Sequence, residues 1–337
     1  MTAPVPPLPL PPGAIVSVPG RGEFFVRDTG GTGPVVLLLH GWMFPSDLNW
    51  LRQYAPLRAA GYRVLAMDLR GHGRGLRSSA AFRLIDCADD ADAVLATLEV
   101  ERALVVGYSM GGPVAQLLAV QHPARVAGLV LCATAMDWRD RRQRVFWRTM
   151  SLLRLGMGLA PRRWWTTAVR AGGGAADPHA AWAVAELSRG SAVDLAEAGR
   201  ELGRFDSSRW VAGIAAPVVV VVTRRDRLVP PAKQYALARA SGAAVHPVDA
   251  RPRRLLHVPG VHRSAADGAR LARPHRPVGL SSAEQLCRGS GSPRWLGVGG
   301  RSSGRRELEQ LVAGHHPSPA QRARRPAAQQ LQLGRQL

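Results

Sequence analysis

The stretch "RALVVGYSMGGPVAQLLA" (102–119) decides the fold. It begins as an apolar strand, turns sharply within Gly107–Gly112, and continues as an apolar helix. So tight a strand-to-helix turn leaves no room for side chains two residues before and two residues after its apex. Gly107 and Gly111 meet that need around Ser109, and Gly112 relieves the crowding further. Ser109 is then expected above the carboxyl edge of a sheet, at the N-terminus of a helix whose dipole favours developing negative charge. A bare G-x-S-x-G also fits a glycine-rich turn whose serine merely caps the helix. Strand, motif and helix in register favour the exposed nucleophile.

Working outward, strands alternate with helices. "GEFFVRDTG" (22–30) reads as a first strand, and "GPVVLLLHG" (33–41) as a strand buried on both faces of a parallel sheet. Residues 46–61 read as one helix with Ser46 or Asp47 as N-cap and Gly61 as stop. "YRVLAMDLRGHG" (62–73) is a strand entering a glycine-rich loop, 89–100 a helix with acids in its first turn, and "VAGLVLCATA" (126–135) a further strand. From Asp137 to Ile214 the pattern is helical and rich in Trp and Arg. "AAPVVVVVTRRD" (215–226) resumes the sheet, followed by a helix at 229–242 and a last strand at 243–250. This alternation predicts an α/β fold with a doubly wound, mostly parallel sheet and a helical lid. The expected divisions are a Pro-rich, extended segment at 1–21, a core in two parts at 22–136 and 215–250, a lid at 137–214, and an Arg-rich aperiodic tail at 251–337. Trp147, Trp164, Trp165 and Trp182 of the lid are expected mainly as core between lid and body, with pocket lining the alternative.

The 337 residues carry a net charge of +21, unevenly spread. Residues 251–337 hold 16 Arg and 4 acids, a net of +12. Lys233 is the only lysine against 44 arginines, a skew that a GC-rich coding sequence produces throughout the chain. The tail has no interleaved aromatics to stack bases, so nucleic-acid or membrane binding by it is not expected. Cys87, Cys132 and Cys287 are scattered and imply neither a disulfide framework nor a metal site. "MTAPVPPLPLPPG" (1–13) lacks a basic start and is interrupted by prolines, which argues against a signal peptide. The longest apolar runs are strand length, and the expected location is cytoplasmic.

The motifs "LLHGW" (38–42), "DLRGHGRG" (68–75), "GYSMGGPVAQLLA" (107–119) and "VVVVVTRRDRLVPP" (218–231), in this order, resemble the α/β-hydrolase family over about residues 22–250. The likeness is to its lid-bearing, esterase- and lipase-like serine branch. The resemblance implies Ser109 as nucleophile, Asp226 as the acid that orients a histidine, and the backbone N–H groups of Trp42 and Met110 as oxyanion hole. Asp226 could alternatively cap a helix or pair with a neighbouring arginine, and Asp137 is the second choice of acid. His40 is expected to fix its loop by hydrogen bonds, and His72 to serve a turn. Dehalogenase and epoxide-hydrolase relatives place Asp at the elbow and form an alkyl ester. A serine there implies an acyl-enzyme on a small ester-like substrate, without cofactor or metal. Thioester, carbon–carbon and perhydrolysis chemistries share the same motifs. The alternative is a defective or non-catalytic protein of this fold that binds a small apolar ligand.

The family's base belongs shortly after the last strand, in a Gly-His pair leading into a closing helix. Here that position holds Arg251–Pro252, and no helical period follows. His246 falls inside the strand, His262 comes late, and His257 is the nearest substitute. A frameshift accounts for the gap. Codons for Arg251–Val258 can be written so that dropping the first base reads Gly-His-Ala-Ala-Cys-Phe-Thr-Phe. Residues 251–337 are then out-of-frame translation, expected to be disordered. The nucleotide sequence around codon 250 tests this: a shifted frame carrying Gly-His is expected, and an early stop there contradicts it.

Overall fold

The computed structural model describes residues 4–139, 150–171 and 177–249. The tail 251–337 with His257, His262 and Cys287, and Trp147 of the lid, lie outside these residues. Eight strands form one sheet: β1 (Gly13–Val18), β2 (Gly22–Asp28), β3 (Val35–Leu39), β4 (Arg63–Met67), β5 (Ala103–Tyr108), β6 (Val126–Cys132), β7 (Val218–Thr223) and β8 (Ala244–Val248). Their order is β1-β2-β4-β3-β5-β6-β7-β8. Strands β3 to β8 run parallel, and the β1–β2 hairpin joins β4 antiparallel. The central strands β3, β5 and β7 are buried almost throughout, as their unbroken apolar runs require.

Strand β1 precedes the strand read from the sequence as the first, at 22–30. Beyond Pro12 the chain regains its N–H donors, and Val16 and Val18 alternate inward against β2. The helix expected at 46–61 is two short ones, α1 (Ser46–Trp50) and α2 (Tyr54–Ala59). Pro56 supplies no N–H to the carbonyl one turn earlier, so the ladder breaks between them. Ser46 and Asp47 do not cap α1, whose N-cap residue is Pro45. Ser46 bonds Asp68 through its N–H (2.7 Å) and hydroxyl, and Asp47 pairs with Arg27 and Arg74.

Helix α3 (Leu84–Thr97) begins before Asp89, so its acids are spread along it. Asp90 receives Arg70 and Arg21, and Asp92 receives Arg125. Helix α4 (Gly111–Gln121) follows β5 directly. Trp50, Tyr54 and Leu57 of α1 and α2 pack onto Val36, Leu38, Val64 and Val106 of the sheet.

Between β6 and β7 the chain is helical: α5 (Met150–Leu159), α6 (Pro161–Ala171), α7 (Ala180–Leu187) and α8 (Ala192–Leu202). An isolated bridge between Asp137 and Asp206 closes the root of this insertion. Trp165 packs with Met157, Val184, Leu187 and Leu195 in a cluster that Met43 and Leu48 of the body join. Helix α9 (Pro231–Ser241) starts at a proline and ends at Gly242, whose φ of +63° closes its last turn. Among the described residues, no helix is long and apolar enough to cross a membrane.

Candidate active site

Ser109 lies between β5 and α4 with φ +51°, a left-handed backbone that costs a residue with a Cβ on the order of 1–3 kcal/mol. Its surroundings hold it there. The Ser109 N–H donates to the Cys132 carbonyl at 2.9 Å. The Ser109 carbonyl accepts the Gly112 N–H (3.0 Å) and the Thr134 hydroxyl (2.8 Å). The glycines are required sterically. A Cβ at Gly107 would lie 2.4 Å from the Gly111 carbonyl, and one at Gly111 2.1 Å from the Leu39 carbonyl. One at Gly112 would strike the Thr134 side chain. The end of β3 and the start of α4 therefore meet backbone to backbone beneath Ser109.

The loop after β3 runs beside this elbow. A Cβ on Gly41 would come within 3.4 Å of the Ser109 Cβ. The Gly41 N–H donates to Asn49 Oδ1 (2.8 Å), and the Trp42 indole Nε1–H donates to the Leu195 carbonyl of α8 (2.7 Å). Trp42 follows Gly41 in this loop, and Met110, fully buried, opens α4. The fold thus brings Ser109, the Gly41–Trp42 loop and Met110 together.

His40 is buried, and both its ring nitrogens are used. Nδ1–H donates to the Gly41 carbonyl (2.9 Å), and Nε2 accepts the Leu69 N–H (2.8 Å). Burial lowers its pKa to about 4. It clamps the loop after β3 to the loop after β4. His72, its ring 5.1 Å away, donates from Nδ1 to the Arg70 carbonyl (2.9 Å). Burial, with His40 adding to it, lowers its pKa to about 3. Asp68 is fully buried and accepts the backbone N–H groups of Ser46 and Arg74, fastening the same loops.

Asp226 lies in the loop after β7, two strands from the elbow and on the same carboxyl edge. It is buried. Oδ1 accepts the N–H groups of Leu228 (2.8 Å) and Val229 (2.9 Å), and Oδ2 accepts the Thr223 hydroxyl (3.1 Å). Burial raises its pKa, and these donors oppose the shift. Its neighbour Arg225 pairs instead with Asp249 (2.7 Å). Asp137, the second choice of acid, is a half-exposed carboxylate whose pKa Arg139 lowers by hydrogen bonding.

The described histidines are His40, His72, His122, His179 and His246. His122 sits beyond the far end of α4 between Asp89 (2.9 Å) and Asp92 (3.5 Å). His179 meets the carbonyl of Val5, and His246 stands in β8 opposite Val221. None of the five is a free base beside Ser109. Strand β8 ends beside the acid loop, where the Arg224 N–H donates to the Val248 carbonyl (3.0 Å). The chain beyond it, with His257, is outside the described residues. Sequence reasoning missed Thr134, Asn49 and Asp68, whose roles depend on contacts far apart in the chain.

Comparison with known proteins agrees with this fold. Residues 34–154 match the family described as alpha/beta hydrolase fold. Over 101 residues the chain is 45% identical to epoxide hydrolase B of Mycobacterium tuberculosis, covering 29% of this chain and 28% of that relative. Over 110 residues it is 40% identical to a non-heme haloperoxidase of Rhodococcus erythropolis, covering 32% of this chain and 39% of that one. The matched stretches therefore span well under half of these relatives. A thermophilic esterase from Thermogutta terrifontis superposes with a TM-score of 0.64 at 22% identity, over 78% of this chain and 100% of that structure. The chain has the α/β-hydrolase fold, and the family its sequence resembles is the one these comparisons return.

The two buried histidines predict a pH dependence of stability. Folded, both remain neutral well below the ordinary histidine pKa of 6.5. The unfolded chain therefore binds more protons between pH 6.5 and 4. Their contribution is fully present above pH 6.5 and is lost as pH falls, by up to about 1.4 kcal/mol per pH unit for each. Urea unfolding between pH 7 and 5 should show a shallower decline in His72→Gln than in the parent. Parallel profiles contradict the assignment.

Proposed function

We propose that the chain is a serine hydrolase that cleaves a carboxylic ester, or a related acyl bond, through an acyl-enzyme. The observation that carries this reading is Ser109 at φ +51° on a strand-to-helix turn, with the Gly41–Trp42 loop against it. The relatives' names span epoxide hydrolase, haloperoxidase and esterase, so the choice of chemistry rests on the elbow residue. A hydroxyl nucleophile is suited to an acyl carbon.

In this reading Ser109 Oγ attacks the acyl carbonyl while a base takes its proton. The developing oxyanion is held by the N–H groups of Trp42 and Met110, acting as fixed donors. The tetrahedral intermediate collapses and releases the alcohol. Water, activated by the same base, then frees the acid. Asp226 is the acid that orients the base and stabilises its cation. Its buried carboxylate is held by two backbone N–H groups and a hydroxyl, which fixes its direction. His257 is the base named from the written chain.

A second reading is a protein of this fold that binds a small apolar ligand without turning it over. One observation favours it: among the described residues no histidine is free beside Ser109. Hydrolysis of short-chain nitrophenyl esters separates the two. The full chain is expected to exceed Ser109→Ala by about 10³-fold or more, with a similar loss in His257→Ala. Activity no higher than that of Ser109→Ala contradicts the enzyme reading. Undiminished activity in His257→Ala assigns the base elsewhere.

A further inference from the structure

Helices α5 and α6 form a hairpin joined by Ala160 alone. A Cβ on Gly156 would meet the Trp164 ring, so the two helices pack closely. The hairpin's inner side is a core: Met157 is 2% and Trp165 5% exposed, and both belong to the cluster that includes Leu195. Its outer side is unusual. Leu155 is 59% and Leu159 78% exposed, one helical turn apart, with Arg154, Arg162 and Arg163 also exposed nearby in sequence. Leucines with an apolar interior available on the same hairpin have been left in solvent.

The charge of the hairpin is equally one-sided. Residues 150–171 contain four arginines, Arg154, Arg162, Arg163 and Arg170, and no Asp or Glu. Base composition explains abundant arginine, but it does not remove acids. Elsewhere in the described body many arginines pair with carboxylates, as in Arg27–Asp47, Arg70–Asp90 and Arg125–Asp92. Helices α5 and α6 offer their arginines no acid of their own. Exposed leucines on a helix pair that carries exposed guanidinium groups and no acid match one kind of surface. Arginines bind the phosphates of anionic headgroups, while leucine side chains enter the boundary of the acyl chains. A nucleic acid would use the arginines but has no use for Leu155 and Leu159, and Trp165 is buried where base stacking would need it exposed.

We infer that the outer face of the α5–α6 hairpin docks on an anionic phospholipid bilayer. The inference does not draw on the arginines of residues 251–337, and its test needs no turnover, so it stands or falls independently of the proposed chemistry. The test is co-sedimentation of the full chain with vesicles of phosphatidylcholine, alone or with about one third phosphatidylserine. The same is done for Leu155→Ser/Leu159→Ser and for Arg162→Glu/Arg163→Glu, with melting curves to confirm that these exposed changes leave the fold intact. The parent is expected to bind only the phosphatidylserine vesicles. Each double variant is expected to weaken that binding about tenfold or more. Equal binding by the parent and both variants assigns the attraction to the tail and overturns the inference, as does no preference for phosphatidylserine. Loss in the arginine variant alone, together with competition by duplex DNA, overturns it in favour of a nucleic-acid surface.

Discussion

The backbone-to-backbone contact beneath Ser109 is the constraint on which the rest of the architecture depends. Gly111 lies so close to the Leu39 carbonyl that no side chain fits between the end of β3 and the start of α4. That approach lets β5 turn into α4 within three residues and drives Ser109 into a left-handed conformation. The strain persists because the surroundings over-determine it. Cys132, Thr134 and Gly112 hold both faces of the Ser109 peptide; Cys132 ends β6 and Thr134 follows in the loop after it. A side chain presented this way is held in place by its surroundings, which would lower the cost of orienting it in the proposed role of nucleophile.

From that contact the loops at the carboxyl edge are fastened in series. His40, neutral because it is buried, ties the loop after β3 to the loop after β4. Asp68 ties the second of these loops to α1. The helical insertion is fastened in turn. Trp42 bonds Leu195, Arg74 reaches Glu186, and Arg77 donates to the Arg189 carbonyl. All three attachments fall on α7, α8 or the turn between them. Among the described residues, the hairpin of α5 and α6 meets the body through the cluster around Trp165. The part of the insertion that touches the Trp42 loop is therefore the part most firmly held.

Much of this was legible in the sequence, for particular reasons. "VVLLL" and "VVVVV" read as buried parallel strands because only a strand covered on both faces can be apolar at every position. The elbow was legible because its geometry demands small residues at fixed offsets from Ser109. The place of Asp226 after β7 was legible, but its buried state and its freedom from Arg225 were not. Strand β1 was hidden by the prolines just before it, and the break between α1 and α2 by an amphipathic pattern that runs through Pro56. Thr134 left no trace in the sequence, because its partner lies 25 residues earlier and only the adjacency of β5 and β6 joins them.

The central claim is that Ser109 is a reactive nucleophile presented by a preformed elbow. An organophosphonate bearing a fluoride leaving group tests it most directly, since it captures an activated serine in one covalent step. Peptide mass mapping of the treated chain is predicted to find a single phosphonyl adduct, on Ser109, that is absent from Ser109→Ala and greatly slowed in Asp226→Asn. An unmodified Ser109, or an adduct spread over other hydroxyls at the same rate, contradicts the account.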